Sequence, residues 1–210
     1  MHLQRIVLLL IAAFVLSGCG YNAFQSKDEA AKAAWSEVIN QYQRRADLVP
    51  NLVNTVKGYA EHEQSTLEAV TNARASVGKI TLNAEDLTDE NKMKAFQQAQ
   101  GELSSALSRL MAVSENYPNL KADGLFQNLQ AQLEGTENRI AVARNRYITA
   151  IQDYNTFARS FPQNLTAMMF GYKPKANFTV DNEKAISTAP TVDFNKPAAQ
   201  PAQPPAQPAH

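Results

Sequence analysis

One short segment, Glu61-His62-Glu63, places a histidine between two carboxylates. Imidazole and carboxylate groups are both zinc ligands, so this is the first place to look for a metal site. Helical zinc sites of the protease type need two histidines four residues apart on one face. Successive helix residues point about 100° apart, and the other histidines are His2 and His210. The sequence therefore predicts that His62 is a surface residue, and no metal or other cofactor is expected.

Residue types for other chemistry are present, but they lack the spacing that the chemistry needs. No serine stands in a Gly-x-Ser-x-Gly turn, and the eight glycines are scattered rather than gathered in a phosphate-binding loop. Lys+Arg and Asp+Glu are both 20, so the formal charge is zero and no nucleic-acid-binding surface is indicated. The sequence predicts a protein that is not an enzyme.

The single cysteine, Cys19, ends an export-type segment. Arg5 precedes an uninterrupted apolar run at 6–15, which has the layout of a secretory signal and is too short for a full membrane span. The next four residues, Leu-Ser-Gly-Cys, resemble the bacterial lipobox, whose cysteine is acylated (the palmitate-type modification) and becomes the new N-terminus. Residues 1–18 are thus predicted to be a lipoprotein signal peptide and 19–26 a short membrane tether.

The lipobox resemblance also implies a compartment. Two or three acyl chains give stable anchoring, whereas one holds only marginally. Lipidated Cys19 would attach the chain to the bacterial cell envelope, with the folded part outside the cytoplasm. Gly20, rather than an aspartate, favours the periplasmic face of the outer membrane in a host with two membranes.

Three stretches that follow this segment show helical periodicity. Apolar residues recur every seven positions, with companions three or four residues away, which is typical of helices packed along their length as in coiled coils. These seam residues are Trp35, Tyr42, Val49, Val56, Val70 and Val77, then Phe96, Leu103 and Leu110, and finally Phe126, Leu133, Ile140, Tyr147, Tyr154 and Phe161. No comparable stretch alternates as a strand would. The pattern predicts an all-α fold in which residues 27–161 form an antiparallel helical bundle.

The first of these stretches contains a proline. A capping box at Ser26-Lys27-Asp28-Glu29 would start the helix. The heptad phase continues through Pro50, which favours one kinked helix of about 53 residues. A break at Pro50, with Asp47 capping a second helix, is the alternative.

The connecting and terminal segments differ from the bundle in composition. Residues 83–90 are polar and predict a loop that ends in a Thr88 cap. Residues 162–194 are predicted to be a C-terminal extension packed on the bundle or the membrane. Its apolar patch at 167–172 either caps the bundle, which we favour, or contacts lipid headgroups. Residues 195–210 are rich in Pro, Ala and Gln and predict a disordered tail.

Several polar residues occupy or flank seam positions, where a buried carboxylate would need a partner. The predicted buried polar layer comprises Glu63, Thr66, Thr136, Glu137 and Arg144. Arg45 also occupies a seam position. A layer that fixes the register of the bundle is the favoured interpretation. A binding or relay site inside the bundle is the alternative.

The stretch Arg-Arg-Ala-Asp-Leu-Val-Pro-Asn-Leu-Val at 44–53 is similar to the hallmark segment of the LemA family. Further matches lie at 117–122, 136–140 and 161–162, so the resemblance covers about residues 21 to 180. It implies a four-helix up-and-down bundle with long, kinked helices, anchored by its N-terminus outside the cytoplasm. It implies no catalytic residues, because the family has no established activity. Many members keep an N-terminal transmembrane helix, whereas this chain ends its apolar run in a lipobox.

These features predict a membrane-anchored envelope lipoprotein that acts as a helical scaffold or adaptor. The expected partners are the membrane, through Cys19, and unidentified envelope proteins, and self-association is left open. The alternative is a protein that binds a lipid or small apolar ligand, in the bundle core or at Met168-Met169-Phe170.

Overall fold

The computed structural model describes the backbone of residues 2–178 and the side chains of residues 20–178. The elements are α1 (His2–Lys57), α2 (Gln64–Lys79), a 3₁₀ helix (Ala84–Thr88), α3 (Glu90–Ser114), α4 (Pro118–Lys121), α5 (Gly124–Arg159) and α6 (Gln163–Phe170). The all-α prediction is confirmed, and the described residues form six α-helices rather than four.

Three predicted features fall wholly or partly on residues that the structure does not describe. The Pro-rich tail at 195–210 and the end of the extension, from residue 179 onward, lie outside the described residues. The side chains of the export-type segment, including that of Cys19, also lie outside them.

Helix α1 passes through Pro50 and ends at Lys57. The predicted alternative of a break at Pro50 is therefore wrong, and so is a single helix that continues to residue 79. The chain turns at residues 58–63, and α2 begins at Gln64. Gly58 weakens the helix at this point, because glycine costs about 1 kcal/mol relative to alanine inside a helix.

The predicted helix start at about Lys27, after a cap at Ser26, is also wrong, because α1 is already helical before these residues. Phe24 is fully buried within the segment predicted to be a tether. Residues 20–26 consequently belong to the folded body.

Helix α5 runs antiparallel to α1. Arg139 Nε donates to Gln41 Oε1 at 3.1 Å, and two turns later Arg146 Nη1 lies 2.6 Å from Glu37 Oε1. Helix α2 packs on α3 and on the second half of α1. Among the helices of residues 2–178, none carries an apolar stretch long enough to cross a membrane.

The core contains three apolar clusters. The two large ones are stacked along the helices, one around Trp35 and Tyr147 and the other around Val56 and Leu110. A small third cluster surrounds Phe24. Most of the predicted seam is buried in them, because heptad spacing keeps one face of each helix toward its neighbours.

Two boundary predictions need correction. Phe161 is 80% exposed, because α5 ends at Arg159 and the next residue is already extended. The cap of α3 is Asp89 rather than Thr88, and its Oδ1 accepts from the backbone N–H groups of Asn91 and Lys92 at 3.0 and 3.1 Å.

The segment that follows α6 returns along the helical body. Tyr147 donates its hydroxyl to the carbonyl of Ala176 at 2.8 Å, and Phe178 packs edge-on against the Tyr147 ring. Asn155 bonds both backbone groups of Lys175. The described part of the predicted extension therefore packs on α1 and α5.

Candidate functional site

A buried charge separates the two large apolar clusters, the one around Trp35 and the one around Val56. Arg45 is only 1% exposed and stands on α1 between Tyr42 of one cluster and Val49 of the other. Its guanidinium lies 5.0 Å from the centre of the Tyr42 ring. The heptad position of Arg45 forces it inward, because every seventh residue on this face of α1 is buried.

The guanidinium joins three helices. Nη1 donates to Ser104 Oγ at 2.6 Å and to Glu137 Oε1 at 3.0 Å. Nη2 donates to the carbonyl of Gln100 at 3.1 Å and also to its side-chain oxygen. Within the described residues, Nε is buried without a hydrogen-bond partner. Four acceptors on α3 and α5 thus fix one residue of α1, which sets the register of the helices.

The next turn of α1 contains a second polar tie. Pro50 has no N–H, so the carbonyl of Ala46 loses the helical hydrogen bond that it would otherwise accept. Arg74 of α2 supplies the missing donor, with its Nε 3.0 Å from Ala46 O. This contact explains why the proline is tolerated inside α1.

The structure brings together only part of the predicted polar layer. Thr136 is fully buried, donates to the carbonyl of Gln132 at 2.7 Å and accepts from Arg139 at 2.8 Å. Glu137 pairs with Arg45 and keeps 42% of its side chain exposed.

The other three residues are not hydrogen-bonded to Arg45. Arg144 lies 4.6 Å over the ring of Phe178. It is also close to the hydroxyl of Tyr42, whose ring Arg45 contacts. Glu63 and Thr66 stand half-buried where the chain turns into α2. They occupy seam positions because the heptad phase continues through this turn, and they are polar because the turn is partly solvated.

Sequence reasoning missed Gln100 and Ser104. Gln100 lies four residues after Phe96 and three before Leu103, so its burial at 4% could have been predicted from spacing. Ser104 has no such signal, because it is half-buried and acts only through its contact with Arg45.

The end of the molecule near the α1–α2 turn is tied by polar contacts. Tyr59 donates its hydroxyl to Asp123 Oδ2 at 2.8 Å, and this bond raises the pKa of the tyrosine. Tyr117 donates to Glu63 Oε1 at 3.1 Å. His62 is exposed in this turn. Residues 20–178 contain no group of three or more His, Cys, Asp or Glu placed to hold a metal ion.

The opposite end of the molecule is apolar and exposed. The α6 surface, as we define it, consists of Phe161, Leu165, Met168, Met169 and Phe170 together with Tyr21, all at least 40% exposed. The favoured prediction that residues 167–172 cap the bundle holds only for Ala167, which is 7% exposed, and the half-buried Tyr172. It is wrong for Met168, Met169 and Phe170.

The α6 surface lies beside the residues that follow Cys19. The backbone of Gly20 approaches α6 so closely that a Cβ there would lie 3.3 Å from Thr166 Oγ1. The rings of Tyr21 and Phe170 are 5.2 Å apart. Phe24, three residues later, stacks on Tyr172 at 4.5 Å.

A buried ion pair lies just inside this end. Lys175, 8% exposed, places Nζ 2.7 Å from Asp28 Oδ1, and Lys32 lies 2.8 Å from the other carboxylate oxygen. Burial acts to raise the pKa of Asp28, but the bonds and charges of the two lysines outweigh it and hold that pKa below its ordinary value of 3.8. Burial also raises the pKa of the neighbouring Tyr154 to about 12.

The sequence of this chain is similar to those of known proteins. The chain is similar to the magnetosome protein MamQ of Magnetospirillum gryphiswaldense, with 28% identity over 202 residues that cover 89% of this chain and 73% of the relative. Two MamQ proteins of Paramagnetospirillum magneticum are 28% identical over 207 residues, which cover 90% of this chain and 75% of each relative. The LemA family model matches residues 34–194, which is most of the chain. The chain therefore belongs to the LemA family.

Proposed function

We propose that this LemA-family protein is a lipid-anchored, non-enzymatic helical scaffold or adaptor for envelope proteins, held outside the cytoplasm by acylated Cys19. One observation carries the proposal. The folded body begins immediately after the predicted lipidation site, since Gly20 already contacts α6 and Phe24 is fully buried. An anchor at residue 19 would hold the helical body directly against the membrane, and Gly20 after the cysteine favours the outer membrane in a two-membrane host.

The scaffold role is supported by what the described residues offer to a partner. We interpret α1, α2, α3 and α5 as an up-and-down four-helix bundle, because α5 lies antiparallel on α1 and α2 packs on both α1 and α3. The polar groups of this body tie helices together. Arg45, the most deeply buried charged residue among residues 20–178, uses both terminal nitrogens of its guanidinium to bind four acceptors on α3 and α5.

The anchor is tested by Cys19→Ser in the native cell. Labelled palmitate should enter the wild-type chain and not the variant, and the variant should leave the membrane fraction. Photo-crosslinking probes at two exposed body positions, Leu125 and Val142, then report partners by mass spectrometry. The proposal expects a few specific envelope proteins that disappear with Cys19→Ser. An unlabelled wild-type chain contradicts the anchor, and a hydrolytic activity that depends on body residues contradicts the scaffold.

A ligand-binding function has one structural feature in its favour. A cleft of about 380 Å³ opens between α1, α2 and α3, and Tyr42, Leu82 and Phe96 contribute apolar lining. Native mass spectrometry of the purified chain would find a stoichiometric lipid or small apolar molecule if this cleft is occupied. Replacement of Phe96 by Trp should then reduce occupancy, and an unchanged complex would contradict this site.

A further inference from the structure

Helix α6 packs on the body through its less apolar side. Its partly or fully buried residues are Gln163, Thr166 and Ala167. Its most exposed side chains include Met168 at 83%, Met169 at 76% and Leu165 at 54%. These three lie at i, i+3 and i+4, so they form one stripe on the outer side of the helix. A helix on the surface of a soluble protein normally buries its apolar side and exposes its polar side.

Exposed apolar residues are also unevenly distributed over the molecule. Among the described residues, nine large apolar side chains are exposed, and six of these belong to the α6 surface. Scattered apolar residues need no explanation, but a contiguous patch marks a site of interaction.

The position of the α6 surface identifies what covers it. Residues 20 and 21 contact α6 directly, and they follow the apolar run at 6–15 and Cys19 without any linker. If Cys19 is acylated, its lipid chains enter the bilayer beside α6. If the apolar run is retained, that run occupies the same place. In both cases the α6 surface lies at the depth of the lipid headgroups.

The charge around the α6 surface favours a lipid surface. Residues 154–180 contain no aspartate or glutamate and three basic residues, Arg159, Lys173 and Lys175. Arg159 and Lys173 are exposed, whereas Lys175 is neutralised by Asp28. Cations at the edge of an apolar stripe are typical of helices that lie in a membrane interface and attract anionic headgroups.

From this placement we infer that the α6 surface docks into the headgroup layer of the leaflet that holds the anchor and fixes the orientation of the helical body on the membrane. The inference rests on the proposed membrane anchor at Cys19. It adds a second attachment to the membrane, at α6. The turn at 58–63 is then the end of the body that faces away from the membrane.

The test uses the full lipidated chain with one cysteine introduced for labelling, since acylation occupies Cys19. Met168→Cys and Leu125→Cys are labelled with an environment-sensitive fluorophore and reconstituted in vesicles of phosphatidylethanolamine and phosphatidylglycerol that contain a lipid-borne quencher. Leu125 is the matched control, because it is 61% exposed and apolar but lies at the other end of α5. The inference predicts strong quenching of the label at 168 and little at 125.

Each other outcome has a defined meaning. If the chain binds the vesicles but the label at 168 remains as exposed to water as the label at 125, the inference is overturned and the anchor stands. Equal quenching at both positions overturns it too, because the body would then lie flat. A label at 168 shielded from an aqueous quencher but not reached by the lipid quencher indicates a second protein copy and overturns it. A chain that stays off the vesicles overturns both the anchor and the docking.

A variant removes the stripe without disturbing the fold. Met168→Glu with Met169→Glu, probed through Leu165→Cys, should reduce lipid quenching about tenfold. Leu125→Glu is the charge control and should leave quenching at 165 unchanged. Circular dichroism should show the same helicity in all variants, and undiminished quenching in the double glutamate variant would contradict the docking of α6.

Discussion

Arg45 and Met168 each lie in the environment that is opposite to the one their side chains favour. The charged Arg45 is 1% exposed at the centre of the body, and the apolar Met168 is 83% exposed at its end. Arg45 has four hydrogen-bond acceptors on two neighbouring helices, whereas among residues 20–178 no helix covers the side chain of Met168. Both placements cost free energy in an isolated chain in water unless something compensates them.

The two regions differ in where the compensation comes from. At Arg45 it is internal, since Gln100, Ser104 and Glu137 supply the acceptors and the helices gain a fixed register. At Met168 we propose that it is external, because the adjacent residues follow the predicted lipid anchor at Cys19, which would place the membrane there. The difference separates a residue that maintains the fold from residues that serve an interface.

The largest expected effect comes from removing the buried charge. Arg45→Ala should lower the free energy of unfolding by about 3 kcal/mol, because it leaves a cavity and unpaired groups on Gln100 and Glu137. The neighbouring Arg44 is exposed, so Arg44→Ala should change stability by less than about 0.5 kcal/mol. Urea unfolding followed by circular dichroism measures both. Similar small values for the two variants would contradict a structural role for Arg45.

The same substitution at two methionines sharpens the comparison. Met93 is 1% exposed in the cluster around Trp35, so Met93→Ser should cost about 2 kcal/mol. Met168→Ser should cost less than about 0.5 kcal/mol, because water already surrounds this side chain. A large loss of unfolding free energy in Met168→Ser would show that α6 is covered by the chain itself.

The tie between α1 and α2 predicts a smaller effect. Arg74→Met should cost about 1 kcal/mol by leaving the carbonyl of Ala46 without a donor. In a Pro50→Ala background the restored N–H can bond that carbonyl, so the same substitution should cost less. Arg109→Met, at an exposed position of α3, is the control. A double-mutant cycle with no coupling between positions 50 and 74 would refute the compensation.

The smallest effect concerns acid sensitivity near the α6 end. Lys175 and Lys32 hold the pKa of Asp28 below 3.8 despite its burial. A carboxyl whose pKa is lower in the folded state than in the unfolded state stabilises the fold at any pH above its unfolded-state pKa. That contribution is lost as the pH falls below 3.8 and through the pKa of the folded state. Asp28→Asn should therefore flatten the acid side of the stability–pH curve. A variant as acid-sensitive as the wild type would contradict the ion pair.

Much of the helical body could be predicted from heptad spacing. Buried positions such as Trp35, Leu103 and Ile140 follow from the seam, because a packed helix must turn one face inward. The end of α1 could not be placed, since the spacing continues unchanged across the turn at 58–63. The polar seam residues Glu63 and Thr66 are a signal of this turn, but the same pattern also fits a buried polar layer inside a continuous helix.

The candidate sites were predictable to different degrees. Arg45 was visible as a charged residue in an apolar seam, and its partner Glu137 was among the predicted layer residues. The acceptors on Gln100 and Ser104 depend on how α3 meets α1, which no local pattern contains. The exposure of Met168 depends on α6 packing through Thr166 and Ala167, and an eight-residue helix carries too little periodicity to reveal its buried side.

The most direct test of the account is the mass of the N-terminal peptide of the full chain extracted from native membranes. We predict a peptide that begins at Cys19 and carries two or three acyl chains, with the folded body beginning at Gly20. A peptide that retains residues 1–18, or one that begins at an unmodified Cys19, would contradict the lipid anchor on which the proposed function depends.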